Sequence, residues 1–333
     1  MIITYFILLN YTLEVSFKCY KVIMPNHLIH IGFPKTGSTF LQEGFSLHPQ
    51  MHYAPGAIGG FYNVYEICRL AADPKNSEIK YFVTSNEELS VPSFNTGTII
   101  NNSEQNLAEL ISTDRAQESV CAILKALFPN GKILLVTRGF KGIIKSGYSE
   151  YIKHGGTLSI KEFTTVSFNE DGGGLNYSFL IDLYEASFGK ENVIVLPYEM
   201  LRDDQVQFLS VVEQRLQIPH IELAVGRINE SLSSLEMYWY PRMSSLVSEY
   251  SLPLGKRIAK FIVNKYIKKL LHSKLKKTVK LLDRIKPGRT FNPSDISPVL
   301  IAYYRKKNNE GICAARLRDN PLYLTYLSEY LLD

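Results

Sequence analysis

Four short runs of mainly apolar residues stand out along the chain: His27-Leu-Ile-His-Ile-Gly-Phe33, Tyr81-Phe-Val-Thr84, Lys132-Ile-Leu-Leu-Val-Thr-Arg138 and Asn192-Val-Ile-Val-Leu196. Their side chains are apolar at successive positions, not at every second one. That pattern predicts strands of a parallel sheet covered on both faces. Helical stretches lie between them. One opens at Gly37, one covers 105–128 and stops at Pro129-Asn130-Gly131, and one covers 140–153 and stops at Gly155-Gly156. Others cover 177–188 and 203–216. Strands alternating with helices predict βαβ units, hence an α/β fold with a central parallel sheet in three layers. The stretch 167–176, with Gly172-Gly173-Gly174, reads as a mobile loop. From about Gly255 the chain turns Lys-rich and helical.

At 333 residues, 45% hydrophobic and 21% charged, the composition excludes wholesale disorder and supports a buried core. The net charge of +5 is misleading as an average. Thirteen basic residues and one acid, Asp283, fall between Lys256 and Arg289, so this window carries +12. The other 24 basic and 31 acidic residues leave the rest of the chain at −7. Cys19, Cys68, Cys121 and Cys313 are widely spaced and match no zinc or CxxC pattern. Scattered thiols of this kind fit a reducing compartment, the cytoplasm. The apolar stretch 1–13 is too short to span a bilayer and lacks the basic flank and cleavage site of a signal peptide. Met24 precedes the first strand directly, so the functional chain is expected to start there. A short anchor or an extra strand over 1–23 is the alternative. The sequons at Asn10 and Asn101 carry no weight without a signal peptide.

The most informative segment is Gly32-Phe33-Pro34-Lys35-Thr36-Gly37-Ser38-Thr39. It leaves an apolar strand and opens a helix. Glycines at such a junction let backbone N–H groups turn inward around an anion, and the helix N-terminus adds partial positive charge. Gly32 and Gly37 have the spacing of a nucleotide phosphate loop, and Ser38 and Thr39 add hydroxyl donors. The lysine of a nucleotidase loop follows the second glycine, where this chain has Ser38; Lys35 lies inside the loop instead. A nucleotidase also places a carboxylate at a later strand end to hold magnesium. Here the strongest later strand ends in Thr137-Arg138. The loop therefore suits a nucleotide with a 5′ anionic group and no metal.

Pro34-Lys35-Thr36-Gly37-Ser38-Thr39-Phe40-Leu41 resembles the 5′-phosphosulfate loop of sulfotransferases that use 3′-phosphoadenosine 5′-phosphosulfate (PAPS). Arg138, Ser146 and Tyr148 resemble that family's 3′-phosphate motif, with Arg138 at a strand end and Ser146 on the following helix. Val195-Leu-Pro-Tyr-Glu-Met-Leu201 resembles the strand and turn before a late helix. Gly226-Arg227-Ile228-Asn229-Glu230-Ser231 resembles a late element near the cofactor. The resemblance covers about 24–231 and implies a P-loop-like fold. It also implies PAPS as co-substrate and sulfuryl transfer to an acceptor hydroxyl without a metal. By the resemblance, Lys35 stabilises the leaving phosphate oxygen, and Thr36, Gly37, Ser38 and Thr39 hold the 5′ phosphate. Arg138 and Ser146 hold the 3′ phosphate, which Arg227 also contacts.

An acceptor hydroxyl wants a general base within hydrogen-bond reach. Glu87, in Ser85-Asn86-Glu87-Glu88-Leu89-Ser90 after the second strand, resembles a serine-x-glutamate element of bacterial relatives. Glu88 and His154 are the alternatives. His30 lies inside a strand and reads as core. The resemblance points further to a carbohydrate or glycolipid acceptor. Two other readings stay open. One is a phosphate-loop kinase or NTPase. The other is a non-catalytic binder of membranes or polyanions that uses the basic segment.

In that segment, Ile258, Phe261, Ile262, Ile267, Leu270, Leu271, Leu275, Val279 and Leu282 interleave with lysines at helical spacing. A basic amphipathic helix of this kind packs on a core, or lies on an anionic membrane surface through 256–286. Nucleic acid is not expected, because no stacking platform or groove-reading motif accompanies the charge. The expected organisation is a sulfotransferase-like domain over 24–254 and a helical basic extension over 255–333 packing on it. The stretch 1–23 is expected to be dispensable.

Overall fold

A computed structural model of the chain describes residues 26–53, 78–92, 113–168, 175–221, 231–271, 275–285, 288, 293–309 and 317–332. Arg227, the 1–23 extension and the glycine run at 172–174 lie outside the described residues.

Among the described residues five strands form one sheet: β1 (Asn26–His30), β2 (Met51–Tyr53), β3 (Tyr81–Ser85), β4 (Lys132–Thr137) and β5 (Val193–Pro197). All neighbours pair in parallel, in the order β2-β3-β1-β4-β5. The fold is thus the expected three-layer α/β arrangement, with β1 at the centre. Alternation along β4 explains the layering, because successive side chains of a strand point to opposite faces. Ile133 and Leu135 join one buried cluster with Ile29, Ile144 and Tyr184. Leu134 and Val136 join another with Leu28, Val83, Leu41 and Phe208. A strand buried on both faces has no polar side to show, which is why its sequence reads as an unbroken apolar run.

The helices that cover the sheet are α1 (Ser38–Leu47), α2 (Thr113–Leu127), α3 (Phe140–Lys153), α4 (Ile160–Ser167), α5 (Tyr177–Phe188), α6 (Tyr198–Asp203) and α7 (Gln205–Leu216). The helix expected over 203–216 is α7, which begins two residues later at Gln205, and the turn before it, 198–203, is itself helical as α6. Asp204 is extended and its side chain accepts from Gln207 N, so α7 is capped afresh instead of continuing α6. The first strand is shorter than its apolar run. Beyond His30, Ile31 and Phe33 still donate to Leu134 O and Val136 O of β4, at 2.9 and 3.3 Å, after β3 has dropped away. β2 has no counterpart in the predicted elements.

Then follow α8 (Ser234–Ser251), α9 (Lys256–Leu271), α10 (Lys276–Ile285), α11 (Pro298–Tyr304), α12 (Pro321–Leu324) and α13 (Leu327–Tyr330). A third cluster unites α3, α8, α9 and α10 through Ile152, Met237, Tyr240, Tyr266, Leu270 and Val279. The last segment is core, not decoration: Leu300, Tyr304, Tyr323 and Tyr330 are buried in the cluster on one face of the sheet. No helix among the described residues is long and apolar enough to cross a membrane.

Candidate active site

The strand order makes a place for a ligand. The chain leaves β1 toward β2 and leaves β4 toward β5, on opposite sides, so a crevice opens outside the carboxyl ends of β1 and β4. The two segments singled out by sequence, the loop after β1 and Arg138 after β4, face each other across it.

The loop is built tightly. Lys35 and Gly37 both have positive φ, 69° and 89°. Gly37 has a second constraint: a Cβ there would lie 2.3 Å from Leu201 of α6. The buried Thr36 donates its hydroxyl to Phe33 O at 2.5 Å, which pins the turn from inside. α1 then starts with no side-chain cap at Gly37 and no acid in its first turn. Its opening N–H groups are therefore available to an anion. Ser38, the first residue of α1, is buried, and its Oγ has no partner among the described residues. A buried hydroxyl without a partner costs about 1–3 kcal/mol. At an uncapped helix start, such a group fits a ligand that accepts hydrogen bonds. Thr39 is exposed beside it.

Arg138 closes the other side. Its guanidinium donates to Lys35 O at 2.5 Å and lies 4.1 Å from the Tyr198 ring centroid. Its Nε is buried with no partner among the described residues. Burial pulls the guanidinium below its usual pKa, against the opposing pull of Tyr198 and Glu199. Gly142 leaves room for this side chain, since a Cβ there would stand 3.1 Å from Nε.

The turn that carries Arg138 rests on a buried polar network. Gly139 N donates to Glu199 Oε1 at 2.9 Å, and Tyr330 OH donates to Glu199 Oε2 at 2.8 Å. Thr137 Oγ1 meets Tyr323 OH at 2.6 Å and Tyr330 OH at 3.0 Å, and Tyr177 OH donates to Arg138 O at 2.6 Å. Burial raises the Glu199 carboxyl, while the donated hydrogen bonds from Gly139 and Tyr330 pull it back. The Val195–Leu201 motif thus has a physical role. Tyr198 stacks on the arginine, Glu199 holds the turn, and Leu201 packs on Gly37.

Sequence reasoning missed Glu150. Its Oε2 lies 3.1 Å from Lys35 Nζ, and its Oε1 lies 3.2 Å from His154 Nε2. Burial pushes the Glu150 carboxyl up, but the Lys35 hydrogen bond and charge, with help from His154, hold it below the usual range. Ser146, also buried, stands one turn before Glu150 on α3 and shares its face. That i, i+4 relation was the one signal in the sequence. His154 joins this group only through Glu150 and is largely exposed. An exposed pair such as Lys35–Glu150 is worth about 0–1 kcal/mol, so an incoming polyanion can take the lysine from it.

The predicted base lies on a short 3-10 turn, Glu87–Leu89, tied to the loop at two points. Asn86 N donates to His30 O at 3.1 Å, and Ser90 Oγ donates to Gly32 O at 3.2 Å. Glu87 is half-buried and Glu88 exposed.

His30 is core, as expected, but it sits directly under the loop. Its Nδ1 is 2.7 Å from Ser85 Oγ, and a Cβ on Gly32 would lie 2.5 Å from its Nε2. Burial holds His30 and His27 down at about 3, from an ordinary 6.5. Both are therefore neutral when folded and protonated when unfolded below 6.5. Their contribution to stability is complete above pH 6.5 and is lost as pH falls from there toward 3. We expect stability to fall by about 1.4 kcal/mol per pH unit for each histidine in that window. Urea unfolding between pH 7 and 5 checks this; a flat profile would contradict it.

In class, then, the chain is an open parallel α/β protein with a glycine loop at an uncapped helix start and an opposed arginine at its switch point. No family model matches it, and no curated protein matches it. Among solved structures it is similar to a sulfotransferase from Alicyclobacillus acidocaldarius. The two are 16% identical, with 72% of this chain and 95% of that one covered, at a TM-score of 0.43. It is also similar to the mouse sulfotransferase SULT7A1 complexed with PAP. Identity there is 16%, with 67% and 66% covered, at a TM-score of 0.34. At these values the function has to be read from the site itself.

Proposed function

We propose that the chain is a PAPS-dependent sulfotransferase. One observation carries this reading. The start of α1 is uncapped and carries the buried, partnerless hydroxyl of Ser38, and Arg138, whose buried Nε also lacks a partner among the described residues, reaches the same loop at Lys35 O. Hydrogen-bond donors without partners beside a helix N-terminus suit a ligand with more than one anionic group. An adenosine bearing 5′ and 3′ anions fits that demand, and the bound donor would supply a sulfuryl group on its 5′ phosphate. The backbone of Thr36–Thr39 and the Ser38 hydroxyl hold the 5′ end. Arg138 and Ser146 hold the 3′ phosphate, and Arg227 is assigned there by resemblance alone.

Lys35 places an ammonium at the loop, where it donates to the oxygen that gains charge as transfer proceeds. Such a group acts only where charge develops, and this is what accelerates a reaction. Glu150 holds the same ammonium before the nucleotide enters. Glu87 accepts the proton of the acceptor hydroxyl from a turn bonded to Gly32 O and His30 O. The acceptor is a hydroxyl on a carbohydrate, free or lipid-linked, by analogy with the family that the loop resembles.

Incubation with sulfur-labelled PAPS and polysaccharide acceptors tests the reading. Labelled saccharide is the expected product. Magnesium-dependent ATP hydrolysis without sulfate transfer would contradict it. In the same assay Glu87→Gln is expected to lower turnover by about 10²–10⁴-fold, the usual worth of a general base, and Glu88→Gln to leave it unchanged. Full activity in both variants would place the base elsewhere.

A further inference from the structure

The antiparallel pair α8 and α9 meets at a tight turn, Leu252–Leu254 followed by Gly255. Gly255 has φ 89°, and nothing lies within 4 Å of where its Cβ would be. Around this tip stand large apolar side chains in water: Tyr250 is 73% exposed, Leu252 71%, Phe261 66%, Leu254 53% and Ile258 53%. Isolated exposed apolar residues are ordinary, but a contiguous group of this size marks a contact surface.

The surroundings of the tip say what it contacts. From Leu252 to Leu282 the sequence contains no acid. Lys256, Arg257, Lys260, Lys265, Lys268 and Lys269 of α9 are all exposed, and none forms an ion pair among the described residues. α9 buries Ala259, Tyr266 and Leu270 against the protein. At 100° per residue, Ile258, Phe261, Lys265 and Lys268 fall on the opposite arc. The Lys265 ammonium, 5.9 Å from the Phe261 ring centroid, confirms that cation and apolar group share this outward face.

We propose that this hairpin tip docks on the surface of an anionic lipid bilayer. Leu252, Leu254, Ile258 and Phe261 enter the headgroup boundary while the α9 cations meet lipid phosphates. A polynucleotide would engage the lysines but leave the leucines in water. A second copy would bring like charges together. A bilayer satisfies both halves of the surface. α9 is also tied to the rim of the crevice: Ile267 lies within 3.2 Å of where a Cβ on Gly155 would sit, and Gly155 follows His154. The proposal does not rest on the catalytic reading.

Vesicle flotation of the full chain tests it. Vesicles of phosphatidylcholine with about one third phosphatidylglycerol are compared with pure phosphatidylcholine, and with added single-stranded RNA as competitor. The chain should float with the anionic vesicles and not with the neutral ones, and binding should weaken as salt is raised. Arg257→Gln, Lys265→Gln and Lys268→Gln together should weaken partitioning on the order of 100-fold, about fivefold per cation. Leu252→Ser, Leu254→Ser and Phe261→Ser together should weaken it by at least about tenfold. All six positions are exposed, so the melting temperature should hold in both variants. Equal flotation by either variant, equal binding to neutral vesicles, or preferential capture by the RNA would overturn the proposal. So would a concentration-dependent dimer that the leucine variant abolishes.

Discussion

Replacing Lys35 by alanine lowers turnover by about 10²–10³-fold, the usual cost of removing a group that stabilises developing charge, while the melting temperature stays where it was. Both halves follow from the geometry. The Lys35 side chain has one charged partner among the described residues, Glu150, and both groups are more than a third exposed. Its loss therefore removes almost no folding energy. The backbone at Lys35 is left-handed, a conformation that costs an L-residue about 1–2 kcal/mol and that glycine adopts freely. Lysine stands there although glycine would be easier, which points to a task for its ammonium. Lys35→Gly should accordingly be as stable as the native chain and as inactive as Lys35→Ala. Steady-state sulfate transfer and thermal melts on both variants check this. Near-normal turnover by either would remove Lys35 from the mechanism.

Arg138→Ala weakens binding of adenosine 3′,5′-bisphosphate by about 10- to 100-fold, the worth of a hydrogen bond to a charged group. Arg138→Lys restores little of it. The native guanidinium makes two contacts at once, donating to Lys35 O and stacking on Tyr198, while its buried Nε has no partner among the described residues. A lysine ammonium keeps the charge but has neither the planar fork nor the stacking face. Wild-type affinity in Arg138→Lys, measured calorimetrically, would mean that the arginine acts as a bulk charge and not through placed donors. Both variants should show the same loss with and without magnesium.

What could be read from the chain depended on how local its cause was. β4 and α5 are where the sequence puts them. β4 is buried on both faces, and α5 lies between the Asn176 cap and Gly189. The loop after β1 is legible because positive φ and backbone donors are local properties that glycine spacing announces. β2 is illegible: Met51-His52-Tyr53 is three residues long and, among the described residues, pairs only with β3. Glu150 is a single carboxylate on a helix until the fold brings α3 opposite the loop. Tyr323 and Tyr330 carry no signal in the sequence, yet both are buried against Thr137, and Tyr330 holds Glu199. In the basic segment the periodicity gave an apolar stripe but not its division. Leu270 and Val279 pack, while Ile258 and Phe261 project outward. Only the position of α8 decides which arc is covered.

A calorimetric titration of the full chain with adenosine 3′,5′-bisphosphate, run with magnesium and again with chelator, separates a PAPS site from a nucleotidase site. The bisphosphate should bind one-to-one with equal affinity in both runs, and about 10- to 100-fold more weakly in Arg138→Ala. No binding of the bisphosphate, or binding of ATP that appears only with magnesium, would contradict the PAPS reading.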